Sequence, residues 1–210
     1  MRPERFSVAG TLRDCMTYEL VEIFESLQGE GRNTGRPCVF VRFAGCNLAC
    51  PWCDTSVEKR FSMSLEELVR ELSQYKAKSV ILTGGEPTFR EGMPELVAAL
   101  KEKGYWVAIE TNGTSEPEWF KSLDYIACSP KAEFPEMIRL TRANEVRVVA
   151  SSESTVDFCR TIRGRIAADD YYVSPCDHGG KIDFATAKSV LSQLDGWSLS
   201  VQLHKILGFR

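Results

Sequence analysis

The chain predicts an α/β fold with a mostly parallel sheet, and three observations carry that expectation. Strand-like runs rich in Val, Ile and aromatics alternate with helical patterns along most of the chain. Polar, glycine-bearing segments follow those runs repeatedly. At 210 residues, with no low-complexity linker and no evident repeat, the chain suits one domain with a sizeable core, or at most two small ones.

The first strand candidate is Tyr18–Phe24, and Val39–Phe43 follows it. A helix over Leu65–Tyr75 opens on Ser64 and Glu67, a capping-box pair. Next come strand Ser79–Leu82, helix Pro94–Lys103, strand Trp106–Ile109 and one short helical turn at Pro117–Lys121. Strands Tyr125–Ala127 and Glu145–Val149, helix Thr155–Arg163, strand Tyr171–Val173, helix Phe184–Leu194 and strand Leu199–Leu203 complete the pattern.

In parallel sheets, open or rolled into a barrel, ligands gather at the carboxyl ends of the strands. A cysteine loop follows Phe43, TGGEP (Thr83–Pro87) follows Leu82, and ETNG (Glu110–Gly113) follows Ile109. CSPK (Cys128–Lys131) follows Ala127, and SPCD (Ser174–Asp177) follows Val173. Each alone is an ordinary turn. Together on one predicted face they describe a site.

Composition narrows the partners. The net charge of −3 leaves no basic footprint for nucleic acid. No apolar run approaches the roughly 18 residues of a membrane span, and MRPERFSVAG lacks the apolar stretch of a secretory signal. Cys15, Cys38, Cys128, Cys159 and Cys176 are scattered, and buried free thiols suit them better than disulfides. A cytoplasmic protein is expected.

The remaining cysteines, Cys46, Cys50 and Cys53, have the spacing C-x3-C-x2-C. Three thiolates so placed can bind three irons of a [4Fe–4S] cluster and leave the fourth iron to a small molecule. A zinc site or a chance grouping is the alternative, although structural zinc asks for four ligands. In TGGEP the two glycines permit close backbone approach to a ligand, and Glu86 can accept hydrogen bonds from an ammonium group. A plain tight turn would look the same.

Taken together, the triad and TGGEP resemble the radical S-adenosylmethionine (SAM) superfamily. That resemblance implies a partial, incomplete (β/α) barrel with the cluster at one mouth. It also implies that the amino and carboxylate groups of SAM chelate the open iron, and that one electron cleaves SAM to a 5′-deoxyadenosyl radical. The protein then orients reactants and excludes water around a cofactor that supplies the reactivity.

A narrower resemblance rests on LQGEG (Leu27–Gly31), RPCVFVRFAGCN (Arg36–Asn47), WCDT (Trp52–Thr55) and a late LHK (Leu203–Lys205). With TGGEP, SPK and EVRVV (Glu145–Val149), the likeness to 7-carboxy-7-deazaguanine synthases spans Tyr18 to Arg210. Residues 1–15 precede it and are expected to be a dispensable extension to a radical SAM domain over 16–210. The implied reaction converts 6-carboxy-tetrahydropterin to 7-carboxy-7-deazaguanine with loss of ammonia, in queuosine precursor synthesis.

What the resemblance implies for the residues is specific. Leu27, Gln28, Gly29, Glu30, Arg42, Thr83, His204 and the terminal carboxylate of Arg210 hold substrate. Amide and carboxylate groups suit its pyrimidine edge, and the Arg42 guanidinium suits its carboxylate. Thr55 supplies an oxygen ligand to Mg²⁺. Trp52, Cys53, Asp54, Gly85, Glu86, Ser129, Pro130, Lys131, Ser174, Pro175, Cys176 and Asp177 are the SAM set. Many members carry an amide where Ser174 stands, which leaves that adenosine contact open. A homodimer and an electron-donor protein such as flavodoxin or ferredoxin are implied as well. Two rivals share part of the pattern: a radical SAM activase of a glycyl-radical enzyme, and a non-catalytic metal-binding module.

Overall fold

Strand β2 (Pro37–Phe43) is followed across the sheet by β4 (Ser79–Gly84), β5 (Trp106–Thr111), β6 (Tyr125–Cys128), β7 (Arg142–Ala150), β8 (Ala167–Asp177) and β10 (Ser198–Leu199), every pair parallel. This computed structural model describes residues 16–53 and 55–209. Residues 1–15, Asp54 and Arg210 lie outside them. So do the expectations of an N-terminal extension, of Asp54 at the SAM site and of the Arg210 carboxylate at the substrate.

Each parallel strand is added on the same side of its predecessor, which is how a barrel grows. The sheet stops at β10 without closing, so the barrel is partial. Beyond β2, an antiparallel pair continues the sheet: β1 (Thr17–Leu27) against β2, and β3 (Phe61–Ser64) against β1. The run at Tyr18–Phe24 is therefore a hairpin strand, and β3 is an additional edge too short to show a period in the sequence.

Alternation within the strands sorts the faces. Val39, Val41, Phe43, Val80, Leu82, Val107, Ile109, Val146, Val148 and Val173 join the helices in the main core. The helices are α1 (Leu65–Leu72), α2 (Met93–Glu102), α3 (Thr155–Arg165) and α4 (Phe184–Leu191). Ser64 and Glu67 form the expected capping box on α1, with the Ser64 N–H donating to Glu67 at 2.8 Å. The opposite face carries a smaller cluster, Cys38, Ile81, Ala108, Tyr125 and Ala127, and leaves room for polar groups. The short turn expected at Pro117–Lys121 is a 3₁₀ turn at Glu118–Ser122.

Two expectations change. Ser174–Asp177 is not a loop: it continues β8, because the Gly179–Gly180 turn folds β9 (Ile182–Asp183) back against Cys176 and Asp177. Leu199–Leu203 is not a strand beyond Leu199. The Leu203 N–H donates to the Gly29 carbonyl at 3.1 Å, which pulls the chain off the sheet and into helix α5 (Leu203–Leu207).

The segment 28–36 between β1 and β2 reaches over to the far strands. Gly31 donates its N–H to Ser200 Oγ at 3.0 Å, and Arg32 donates its N–H to Glu145 at 2.8 Å. Gly31 has φ 64° and lies so close to the Glu145 carboxylate that a Cβ would collide with it. Only glycine combines that backbone with that approach.

Candidate active site

The cysteine loop leaves β2 through Ala44, whose N–H donates to Glu19 O, and Gly45, whose N–H donates to Val57 O at 2.7 Å. Asn47 is clamped on both sides. It accepts from the Asn112 side-chain amide at 2.9 Å and donates to Thr114 Oγ1 at 2.8 Å. Cys46 and Cys50 are half-buried and Cys53 is exposed, all three as free thiols. Burial pushes the Cys46 and Cys50 thiols up, and the Lys131 ammonium partly offsets this at Cys50.

Among the described residues no group of three His, Cys, Asp or Glu side chains is poised around a single ion. A cluster takes each sulfur at a different iron. Three free thiols on one short loop, each close enough to another to feel its charge, suit that donor set.

TGGEP supports this loop from beneath. Gly85 N–H donates to Phe43 O and Glu86 N–H to Gly45 O, both at 3.1 Å. A Cβ on Gly85 would run into the Gly45 carbonyl oxygen, and one on Gly84 (φ 128°) into the backbone of Phe43. The glycines thus admit the cysteine loop itself. Glu86 is fully buried. Its carboxylate accepts from Thr88 N–H and Oγ1, from Thr111 Oγ1 at 2.8 Å and from Asn112 N–H at 2.7 Å. It ties two strand ends together.

Above the strand ends lies a cavity of about 460 Å³, within the range of small-molecule sites. The expected residues Leu27, Gln28, Gly29, Glu30, Arg42, Thr83 and His204 line it, as do Trp52, Thr55, Ser129, Lys131, Ser174, Pro175 and Asp177. Gly85, Glu86, Pro130, Cys176 and the cysteine triad are outside this lining, in or behind the segments that shape it.

On one side, Lys131 donates to Ser129 Oγ at 2.7 Å and stands 5.3 Å from the centre of the Trp52 ring. The Trp52 indole N–H donates to Glu133 at 2.7 Å. Ser174 Oγ is buried with no hydrogen-bond partner among the described residues, a state that calls for a ligand or water. Across the cavity, Arg42 Nε donates to its register partner Glu22 at 2.8 Å.

The far wall is acidic. Gln28 donates to Glu110 at 2.9 Å and accepts the Glu30 N–H at 3.1 Å. The Arg147 guanidinium contacts Glu30, Glu110 and Glu145. Glu145 also accepts from the Tyr125 hydroxyl at 2.8 Å. Burial pushes the Glu145 carboxyl up, against the lowering effect of its hydrogen bonds from Arg32 and Tyr125. The C-terminal segment covers this wall: Gln202 donates to Glu30 at 3.0 Å and Lys205 to Asp177 at 2.7 Å. His204 leaves no space for a Cβ on Gly29, which would sit 2.7 Å from its Nδ1.

Sequence reasoning missed Glu22, Glu110, Arg147 and Gln202. Glu110 heads a strand-end segment already marked. Arg147 interrupts a run of valines, Val146 and Val148–Val149. Glu22 and Gln202 required the strand register and the fold of the C-terminal segment.

Comparison with known proteins agrees with this geometry. The Radical SAM superfamily pattern matches residues 40–152. A Haemophilus influenzae protein named 7-carboxy-7-deazaguanine synthase is 42% identical over 200 residues, 91% of this chain and 93% of that protein. A Neisseria meningitidis protein of the same name is 41% identical over 201 residues, again 91% and 93% of the two chains. The crystal structure of QueE from Escherichia coli superimposes with a TM-score of 0.74 at 26% identity, covering 94% of this chain and 99% of that one.

A partial barrel with a three-cysteine loop at its mouth defines a radical SAM enzyme. Within that superfamily the chain belongs to the 7-carboxy-7-deazaguanine synthases. The family carries a [4Fe–4S] cluster and SAM.

Proposed function

We propose that this enzyme converts 6-carboxy-tetrahydropterin to 7-carboxy-7-deazaguanine with release of ammonia, as a step in queuosine precursor synthesis. One observation carries the reading: a single cavity is lined by the carboxylates Glu30 and Glu110 and by the cation Arg42. A carboxy-pterin has the matching halves, an N–H-rich pyrimidine edge and an anionic ring substituent. A glycyl-radical activase must instead admit a protein loop.

In this reading Cys46, Cys50 and Cys53 hold the cluster, and the Trp52, Ser129, Lys131 and Ser174 side receives SAM. When bound, the cluster and SAM supply a deoxyadenosyl radical, and Mg²⁺ supplies a Lewis acid. The chain's own residues do the rest. Glu30 and Glu110 accept the pyrimidine N–H groups and fix the ring's orientation. Arg42, paired with Glu22, would meet the ring carboxylate, and Thr55 would supply an oxygen ligand to Mg²⁺. Thr83 and His204 flank the ring, and the segment from Gln202 onward covers it and keeps water out. Positioning of this kind would fix the ring in one orientation and exclude water from it.

A flavodoxin- or ferredoxin-type donor, a homodimer and a cytoplasmic location belong to the same proposal. No described helix is long and apolar enough to cross a membrane. The test is anaerobic reconstitution followed by incubation with carboxy-tetrahydropterin, SAM, Mg²⁺ and a reductant. Appearance of the deazapurine chromophore is expected. SAM cleavage without a deazapurine product would refute the substrate assignment.

A further inference from the structure

Arg147 stands in the cavity wall among three carboxylates, with Glu30 at 2.6 Å, Glu145 at 3.0 Å and Glu110 in direct contact. Its side chain is 5% exposed and that of Glu145 is 2% exposed, whereas Glu30 and Glu110 keep 20% and 21% open. The cation is buried while two of its partners face the cavity.

Those two partners are held alike. Each gives one oxygen to Arg147 and the other to an amide: Glu30 to Gln202, Glu110 to Gln28. A carboxylate oxygen has two lone pairs, so each group can accept further hydrogen bonds from the cavity. One guanidinium does not neutralise the two cavity-facing carboxylates, and excess negative charge in a poorly solvated wall is costly unless something positive or donor-rich meets it. The arrangement invites a ligand edge carrying adjacent N–H donors.

We infer that Arg147 is a positioning residue for substrate recognition: it holds Glu30 and Glu110 co-oriented as a paired acceptor for a 2-amino-4-oxopyrimidine edge. The ligand's identity rests on the pterin reading above. The other charged or titratable groups facing the cluster are Arg32 from segment 28–36, Tyr125 from β6, and Asp170 and Tyr172 from β8. His204 and Lys205 of the C-terminal helix, with Glu22, Arg42 and Asp177, share the cavity. Arg32 is engaged by Asp170, Arg42 by Glu22 and Lys205 by Asp177. Arg147 is the cation bonded to both Glu30 and Glu110.

The experiment measures pterin binding, by fluorescence quenching, to reconstituted wild-type, Arg147→Lys and Arg147→Met holoenzyme. Arg147→Met is expected to weaken binding on the order of 100-fold at neutral pH, the scale for removing one partner of a buried charge pair. Arg147→Lys restores the charge but not the fork, so it should lose roughly tenfold, a partial rescue. In turnover, KM for the carboxy-pterin should rise more than kcat falls.

Wild-type protein indifferent to pterin would overturn the substrate reading and this inference with it. Wild type that binds while Arg147→Met matches its affinity would overturn the inference alone. Should Arg147→Met not fold, Arg147→Lys decides: unchanged affinity overturns it.

Discussion

The backbone N–H of Asn112 donates to the buried carboxylate of Glu86 at 2.7 Å, joining the end of β4 to the end of β5 directly beneath the cysteine loop. Glu86 accepts three further hydrogen bonds, from Thr88 and Thr111. An amide at this position offers one acceptor oxygen and turns a donor toward donors. Glu86→Gln should lower the unfolding free energy by roughly 2–4 kcal/mol, since buried donors lose charged partners. Anaerobic urea denaturation of the variant and wild type measures it.

Gly85 rests against Gly45 with no room for a side chain. Gly85→Ala should push the cysteine loop away from the strand ends and reduce iron and sulfide loading, while far-UV circular dichroism keeps the wild-type form. Normal iron content in this variant would contradict the support role assigned to TGGEP.

Thr55 lines the cavity two residues after Cys53. Thr55→Ala should retain the cluster and raise the Mg²⁺ concentration for half-maximal turnover by at least about tenfold, a typical cost of disturbing a metal's surroundings. A magnesium response identical to wild type would refute the Thr55 assignment. Cys46→Ala, in contrast, should lose cluster and turnover together.

Much of this organisation is legible in the sequence because single residues carry it. Parallel strands buried on both faces show as dense Val and Ile runs, and strand-end glycines show where backbone must approach backbone. Long-range pairing is not legible in that way. Nothing near Arg147 announces Glu30 or Glu110, because the contacts arise only when the 28–36 segment is laid across the barrel. Pro175, a residue that interrupts most strands, disguised the continuation of β8, where the ladder partner Ala150 ends β7. The alternation in Leu199–Leu203 is equally misleading, since Leu203 is claimed by Gly29.

The C-terminal segment is anchored over the cavity by Gln202, Leu203 and Lys205. Gln202→Ala should therefore raise KM for the carboxy-pterin severalfold and leave cluster content unchanged. Steady-state kinetics of variant and wild type compare the two; equal KM values would count against a covering role.

Glu145 gives a pH signature in stability. Burial raises its folded-state pKa, so the folded protein holds this proton more tightly than the unfolded chain does. As pH climbs from the ordinary carboxylate range through the raised value, that advantage is lost, and above it the contribution is flat. Wild type should lose stability relative to Glu145→Gln across this window. Thermal melts at mildly acidic and neutral pH measure the difference, and a constant offset would contradict the assignment.

The most direct measurement is an anaerobic crystal structure of the reconstituted protein with SAM and carboxy-tetrahydropterin bound. The expected density has the cluster on Cys46, Cys50 and Cys53, the pyrimidine edge against Glu30 and Glu110, and the ring carboxylate toward Arg42 and Thr55. A pterin bound in the reverse orientation, or outside this cavity, would contradict the account.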